Sequence, residues 1–561
     1  MEGVPNPNPD DTLASARSSK VSRRTVLRFT ALAAAAPTLG QVAFAPAAQA
    51  QTATAADNND PPDLDSLVDV SIAQLQAAMK NHSTTSREIT RGYLRRIARL
   101  DPKLHSIIEV NPEAEDIARA LDEERRDGNV RGPLHGIPIL LKDNIDTADQ
   151  THTGAGSLAL VGTRPTQDAT VARLLRDAGA VLLGKANLSE WANFRSTHSS
   201  SGWSGRGGQC GMPYILDRNP CGSSSGSGAA TSASFTAAAL ATETDGSIVC
   251  PASHNAVVGI KPTVGLTSRA GVVPISHNQD TVGPHGRTVA DAATVLTAIA
   301  GVVDPRDSAT SQNTGKPRLD YTTFLNANAL KGARIGVARD QGFGISEKTD
   351  AIMDTAIQAL KNAGAIIIDN LNISALESPT TGNSETTVLL FDFKQDVAAY
   401  MATRPGGPRT LQDLINFNNS HAAEELKFFG QELFIQSEAT DGFGDPTYAA
   451  ALADSQGKSR AALQKIFADN NLDSIVAPTN SPAWVTDLVD GDHFELASTG
   501  PAARAGYPLV TVPAGFTFGL PVGITFMGLA FSEPKLISLA FSFEQATKIR
   551  RPPTFLPTLP T

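Results

Sequence analysis

Asn219-Pro-Cys-Gly-Ser-Ser-Ser-Gly-Ser-Gly-Ala-Ala230 admits two opposite readings. By composition it is a Gly/Ser spacer, flexible and disordered. Its surroundings argue otherwise. The stretch runs straight into "AATSASFTAAALATE", residues 229–243, which reads as a small-residue helix packed in the interior. Linkers join segments that stand apart, and a buried helix directly behind one is out of place. A nucleophile elbow is a second reading, since Gly222-Ser-Ser224-Ser-Gly226 fits G-x-S-x-G with Ser224 at its centre. That motif needs a strand immediately before it. Asn219-Pro220 occupies the place, and proline is poor in a central strand. A phosphate loop would need Gly-Lys-Ser/Thr, which the stretch lacks.

Outward from this point the chain alternates short apolar runs with amphipathic segments. Thr85 and Glu88 form a capping box ahead of Ile89, Tyr93, Ile97 and Leu100 at helical spacing. The run 137–141 is too short for a helix and reads as a buried strand with Lys142 at its end. A helix over 170–178 closes at Gly179, and a second buried strand, 180–184, leads to Lys185. "ARIGVA" at 333–338, "GAIIIDNL" at 364–371 and Ser474–Pro478 are strand-like. Residues 382–470 are mostly helical and polar, 505–529 read as a strand pair, and a helix spans about 534–547. The pattern predicts an α/β sheet covered on both faces. No repeat of 20–50 residues is present.

Four stretches now stand in order: "HGIPILLKDNI" at 135–145, "GSSSGSG" at 222–228, "TETDGSI" at 242–248 and "GIKPTVG" at 259–265. Together they resemble the amidase signature family, over residues 68–300 and again over 474–550. The resemblance implies a single α/β/α domain over 67–555, built around a large mixed, mostly parallel twisted sheet. Its core motifs would lie at 130–290, and 320–480 would be the variable region shaping the substrate pocket. It also implies a Ser–cis-Ser–Lys catalytic set. Position by position, Ser247 matches the nucleophile, Ser223 the bridging serine after a cis peptide bond, and Lys142 the lysine base. Thr244, Asp245 and Gly246 would supply the oxyanion hole, with Ser224 beside them at the substrate site. Two departures from the commonest pattern occur: Cys221 and Ser225 replace glycines, and Glu243 and Asp245 replace Asp and Gly. With "LDRNPCGSSSGSGAA" and "PISHNQDTVGP", these variants are similar to the peptide amidase branch. A peptide or small-molecule amide is the implied partner, with hydrolysis of C-terminal peptide amides the leading activity. Hydrolysis of aryl acylamides, esters or carbamates is the alternative, and a glutamyl-tRNA amidotransferase A-type subunit is a more distant one.

The chemistry suits the residues. An amide is a poor electrophile, so a serine attacking it needs a base and an oxyanion hole. Lysine serves as a base only when neutral, and burial lowers its pKa from about 10.4. Spacing alone leaves Lys185 and Lys261 open beside Lys142, since all three follow apolar runs. Asp143 and Glu243 read as hydrogen-bonding scaffold, and His135 and His254 as structural.

The net charge of −10, with no basic stripe, excludes a nucleic-acid surface. Cys210, Cys221 and Cys250 allow at most one disulfide and read as buried small apolar residues. No histidine or cysteine pair has metal spacing, so neither metal nor cofactor is expected, and no obligate protein partner. Ser22-Arg-Arg24-Thr-Val-Leu27, a mild apolar stretch and Ala48-Gln-Ala50 have the order of a twin-arginine signal over 1–50. A flexible lead-in, 51–66, would follow. Pro37 and Gly40 interrupt the apolar part, so no stable membrane insertion is expected. The expected location is periplasmic or secreted.

Overall fold

Thr85 opens the first long helix. Its hydroxyl accepts from the Glu88 N–H (3.2 Å), and the Glu88 carboxylate accepts from the Thr85 N–H (2.9 Å). Helix α1 (Ser86–Leu100) then turns Ile89, Tyr93 and Ile97 into the main core against Ile139, Leu140 and Leu141. The computed structural model describes residues 64–377 and 380–560. The signal sequence read at 1–50, and the lead-in except its last three residues, lie outside the described residues.

Eleven strands form one sheet. They are β1 (Ile107–Val110), β2 (Pro138–Lys142), β3 (Val181–Ala186), β4 (Ala238–Glu243), β5 (Val258–Lys261) and β6 (Thr281–Gly286), then β7 (Arg334–Ala338), β8 (Ile366–Leu371), β9 (Ser474–Pro478), β10 (Leu509–Thr517) and β11 (Leu520–Met527). Their spatial order is β1-β3-β2-β4-β6-β5-β10-β11-β9-β7-β8. Every residue of β2 to β6 is buried, so this half of the sheet is covered on both faces.

The mixed α/β/α arrangement agrees with expectation, but less of the pairing is parallel than expected. Parallel pairs occur on the two flanks, β3-β2-β4 and β9-β7-β8. From β4 through β9 every pair is antiparallel. The cause is local. β10 and β11 are joined through only Phe518 and Gly519, both at positive φ (48° and 84°), and so tight a hairpin pairs antiparallel by necessity.

The second correction concerns residues 229–243. The Gly/Ser stretch enters helix α2 (Ser225–Ser232), buried throughout, but this helix stops there. Ser234 turns left-handed (φ 55°), and Ala238–Glu243 become β4 between β2 and β6. Alanine's helix preference is worth only fractions of a kcal/mol per residue, and a fully buried slot in the sheet outweighs it.

The register of β2 on β4 positions the chemistry. Ile139, Leu140 and Leu141 pair in parallel with Ala238, Ala239 and Leu240. Lys142 and Thr242 therefore emerge side by side at the carboxyl ends of two neighbouring strands.

Candidate active site

Lys142 is fully buried, and its Nζ has three oxygen neighbours. It lies 2.7 Å from Ser223 Oγ, 2.8 Å from Thr242 Oγ1 and 3.4 Å from the Thr242 carbonyl. Burial lowers its pKa to about 7, against the opposing charges of Asp280 and Glu243. The other two lysines are buried but committed elsewhere. Lys185 donates to the Ile145 carbonyl and to Thr153 Oγ1. Lys261 donates to the Tyr507 carbonyl. The geometry thus separates three lysines that spacing left open.

Ser223 follows a cis Gly222–Ser223 peptide bond. Gly222 admits no side chain: a Cβ there would run into Ser189 Oγ, with Asn193 Oδ1 and Ser201 Oγ at 2.9 Å. The Ser224 N–H donates to the Ser247 carbonyl (3.3 Å), which brings the Ser223 and Ser247 backbones together. The Ser224 hydroxyl donates to the Thr242 carbonyl (3.0 Å) and does not line the cleft. Its side chain ties the Gly/Ser turn to β4 and is not aimed at a substrate.

Ser247 lines a cleft of about 290 Å³, together with Thr244, Asp245 and Gly246. Gly246 has φ 79°, a conformation that favours glycine and turns the chain sharply into Ser247. The Glu243 carboxylate accepts from the Ile248 and Val249 N–H groups (2.8 and 3.1 Å) at the start of helix α3 (Val249–His254). Asp280 accepts from Thr244 Oγ1 (2.6 Å) and from the Ile275 and Ser276 N–H groups. Burial raises its carboxyl pKa to about 6. Asp143 accepts from Gly154, Gly156 and Arg206, which makes it scaffold.

Two expectations need correction here. Cys221 and Cys250 do not behave as separate small apolar residues but form a disulfide, Cα–Cα 5.9 Å, lining the cleft. It joins the turn before Ser223 to the helix after Ser247. Cys210 remains a buried thiol. The cleft walls are also not built mainly from 320–480. Phe194, Ser201, Ile275, Phe494 and Thr499 lie outside that region, and only Leu389 comes from it.

Thr242, Asn144 and Asp280 escaped sequence reasoning. Asn144 Nδ2 donates to Thr242 Oγ1 (3.0 Å), completing the shell around Lys142. Their signal was position alone: each stands inside a quoted motif. Among the described residues one His/carboxylate cluster could hold a cation, His277 with Asp392 and Asp396, and none of the three lines this cleft.

Comparison with known proteins agrees with this geometry. The family model described as Amidase matches residues 88–537. A "probable amidase" of Arabidopsis thaliana is 44% identical over 499 residues, 88% of this chain and 92% of that protein. A native peptide amidase from Stenotrophomonas maltophilia superposes with a TM-score of 0.81 at 48% identity, covering 87% of this chain and 99% of that one. An A-type subunit of glutamyl-tRNA(Gln) amidotransferase from Caldanaerobacter subterraneus is 34% identical, over 87% of this chain and 98% of that protein. With a matching family model over most of its length, and relatives alike over nearly their whole sequence, this amide-hydrolysing chain belongs to the amidase family.

Proposed function

We propose that this enzyme is an exported peptide amidase that removes the C-terminal carboxamide of peptides, with Ser247 as nucleophile, Ser223 as proton bridge and Lys142 as base. The observation that carries the mechanism is the 2.7 Å contact between the buried Lys142 Nζ and Ser223 Oγ. With the pKa of Lys142 near 7, about half the molecules hold a neutral amine at pH 7. As an amine, Nζ donates its two hydrogens to the Thr242 oxygens and turns its lone pair to the Ser223 O–H. Ser223 gives up that proton and takes one from Ser247. The Ser247 oxygen attacks the carbonyl, and the negative charge moves to the substrate oxygen. The backbone turn 244–246 faces this oxygen and stabilises it. Proton flow then reverses: Lys142 returns its proton through Ser223 to the departing nitrogen, and ammonia leaves. Water repeats the cycle on the Ser247 ester and releases the acid.

The substrate reading rests on the peptide amidase motifs and on the likeness to the Stenotrophomonas enzyme. The export reading rests on Arg23-Arg24 and Ala48-Gln-Ala50. The Cys221–Cys250 disulfide supports it, because disulfides persist in oxidising compartments. The purified protein should release ammonia and free acid in equal amounts from peptide amides, and a fluorophosphonate should label Ser247. Turnover of anilides or esters without turnover of peptide amides would overturn the substrate reading. Labelling of Ser224 would overturn the mechanism.

A further inference from the structure

The side chains around Ser247 are almost all uncharged. Phe194, Ile275, Leu389 and Phe494 give the cleft apolar walls, and its two cysteines are joined in a disulfide. Among the described residues, Asp245 contributes the only charge-bearing side chain to the lining, and no lysine, arginine or histidine lines it. Asp245 stands two residues before Ser247, at a position where the commonest family pattern has glycine. Its Oδ1 is buried and has no hydrogen-bond partner.

Nearby cations do not neutralise it. Arg504 is held by Glu377 (2.9 and 3.0 Å), Glu385 (3.3 Å) and Ser459 (3.0 Å), and does not line the cleft. Lys261, buried behind, faces Glu243 and Glu533 as well as Asp245. Glu385 also accepts from Gln279 (2.8 Å). Burial, and next the charge of Asp245, raise the Glu385 carboxyl above the usual carboxylate range. Three carboxyl groups, Asp245, Glu377 and Glu385, therefore share one guanidinium, and Asp245 is the one that lines the cleft. The cleft opens to solvent, so the potential of this carboxylate meets an arriving substrate and is weakened by added salt.

Substrate and product differ in this respect. A carboxamide is neutral and offers two N–H donors; its hydrolysis product is an anion that can only accept. We infer that the Asp245 carboxylate is the charge filter of this amidase: it accepts N–H donors of the bound amide, rejects acyl groups carrying a carboxylate beside the scissile bond, and expels the acid product. This deepens the proposed function, naming neutral or cationic acyl residues as its substrate class.

The test is a ratio measured within each protein. Amides of N-blocked glutamine and glutamate match in size and differ in the side chain next to the scissile bond, a neutral N–H donor in one and an acceptor-only anion in the other. Wild-type enzyme should prefer the glutamine compound by at least about tenfold in kcat/KM at pH 8, and the corresponding glutamine acid should inhibit poorly. Asp245→Asn should shrink the ratio to within about threefold and tighten inhibition by the acid about tenfold. If Asp245→Asn does not fold, raising the ionic strength from about 0.02 to 0.5 M should narrow the wild-type ratio through screening. If the enzyme acts on anilides instead, the same pair is read as anilides, so the filter stands or falls apart from the peptide-amide reading. An unchanged ratio in Asp245→Asn, or equal turnover of both compounds by the wild type at low salt, would overturn the inference.

Discussion

Thr242→Val should move the pH dependence of turnover in a direction the structure fixes. The substitution keeps the shape of the side chain and removes the hydroxyl 2.8 Å from Lys142 Nζ. A hydrogen bond to a charged donor is worth about 1.5–3 kcal/mol and one to a neutral donor about 0.5–1.5, so the hydroxyl favours the ammonium by roughly 1–1.5 kcal/mol. One pKa unit corresponds to about 1.36 kcal/mol, so losing the hydroxyl should lower the Lys142 pKa by about one. In the wild type, kcat/KM should rise with pH through a midpoint near 7, because the working form of Lys142 is neutral. In Thr242→Val the midpoint should fall towards about 6, and the plateau should drop because a weaker base remains. The assay is kcat/KM for one neutral peptide amide from pH 5 to 9.5, with circular dichroism at each end to confirm folding. A midpoint that moves upward, or a wild-type profile flat between pH 6 and 8, would refute the reasoning.

Three further outcomes are expected. Lys142→Ala should lose about 10²–10⁴-fold in kcat while keeping a native circular dichroism spectrum, and near-normal turnover would exclude the relay. The double variant Cys221→Ser, Cys250→Ser should lose roughly 3–4 kcal/mol of stability in urea, the chain-entropy figure for a loop of this length with cysteines 29 residues apart; a loss under about 1 kcal/mol would show that the bridge barely constrains the unfolded chain. Replacing Arg23 and Arg24 with lysine should leave uncut, active enzyme inside the cell, whereas exported wild type should begin at or near Gln51 on N-terminal sequencing; unprocessed wild type in the cytoplasm would remove the export reading.

Much of the fold was legible because its strands are short apolar runs and its helices carry caps and stripes. Pro138–Lys142, Val181–Ala186, Arg334–Ala338 and Ser474–Pro478 stand within a residue or two of expectation. β4 and β6 were hidden for a physical reason: "AALATE" and "TVGPHG" lack the bulk and branching of typical strands. They pair at the sheet centre, where small side chains fit between covering helices, and this context is invisible to local pattern. In the site, motif order pointed to Lys142, Ser223 and Ser247. Spacing along the chain could not distinguish Lys142 from Lys185 or Lys261, because what separates them is the partner each ammonium meets across the fold. Nor could it pair Cys221 with Cys250, since a disulfide depends on Cα separation and not on spacing along the chain.

The pairing of β2 with β4 sets how this protein can change in length. Side chains alternate faces along a strand, so one residue inserted between Ile139 and Lys142 would turn the lysine to the opposite face and take it from Ser223. Compensation would need a matching insertion in β4 that carried Thr242 along. Exposed segments such as that around Val489 face no such constraint. Insertions and deletions should therefore accumulate in the outer loops while the interval from Ile139 to Lys142 keeps its length, and grafts that reshape the cleft are best joined outside it.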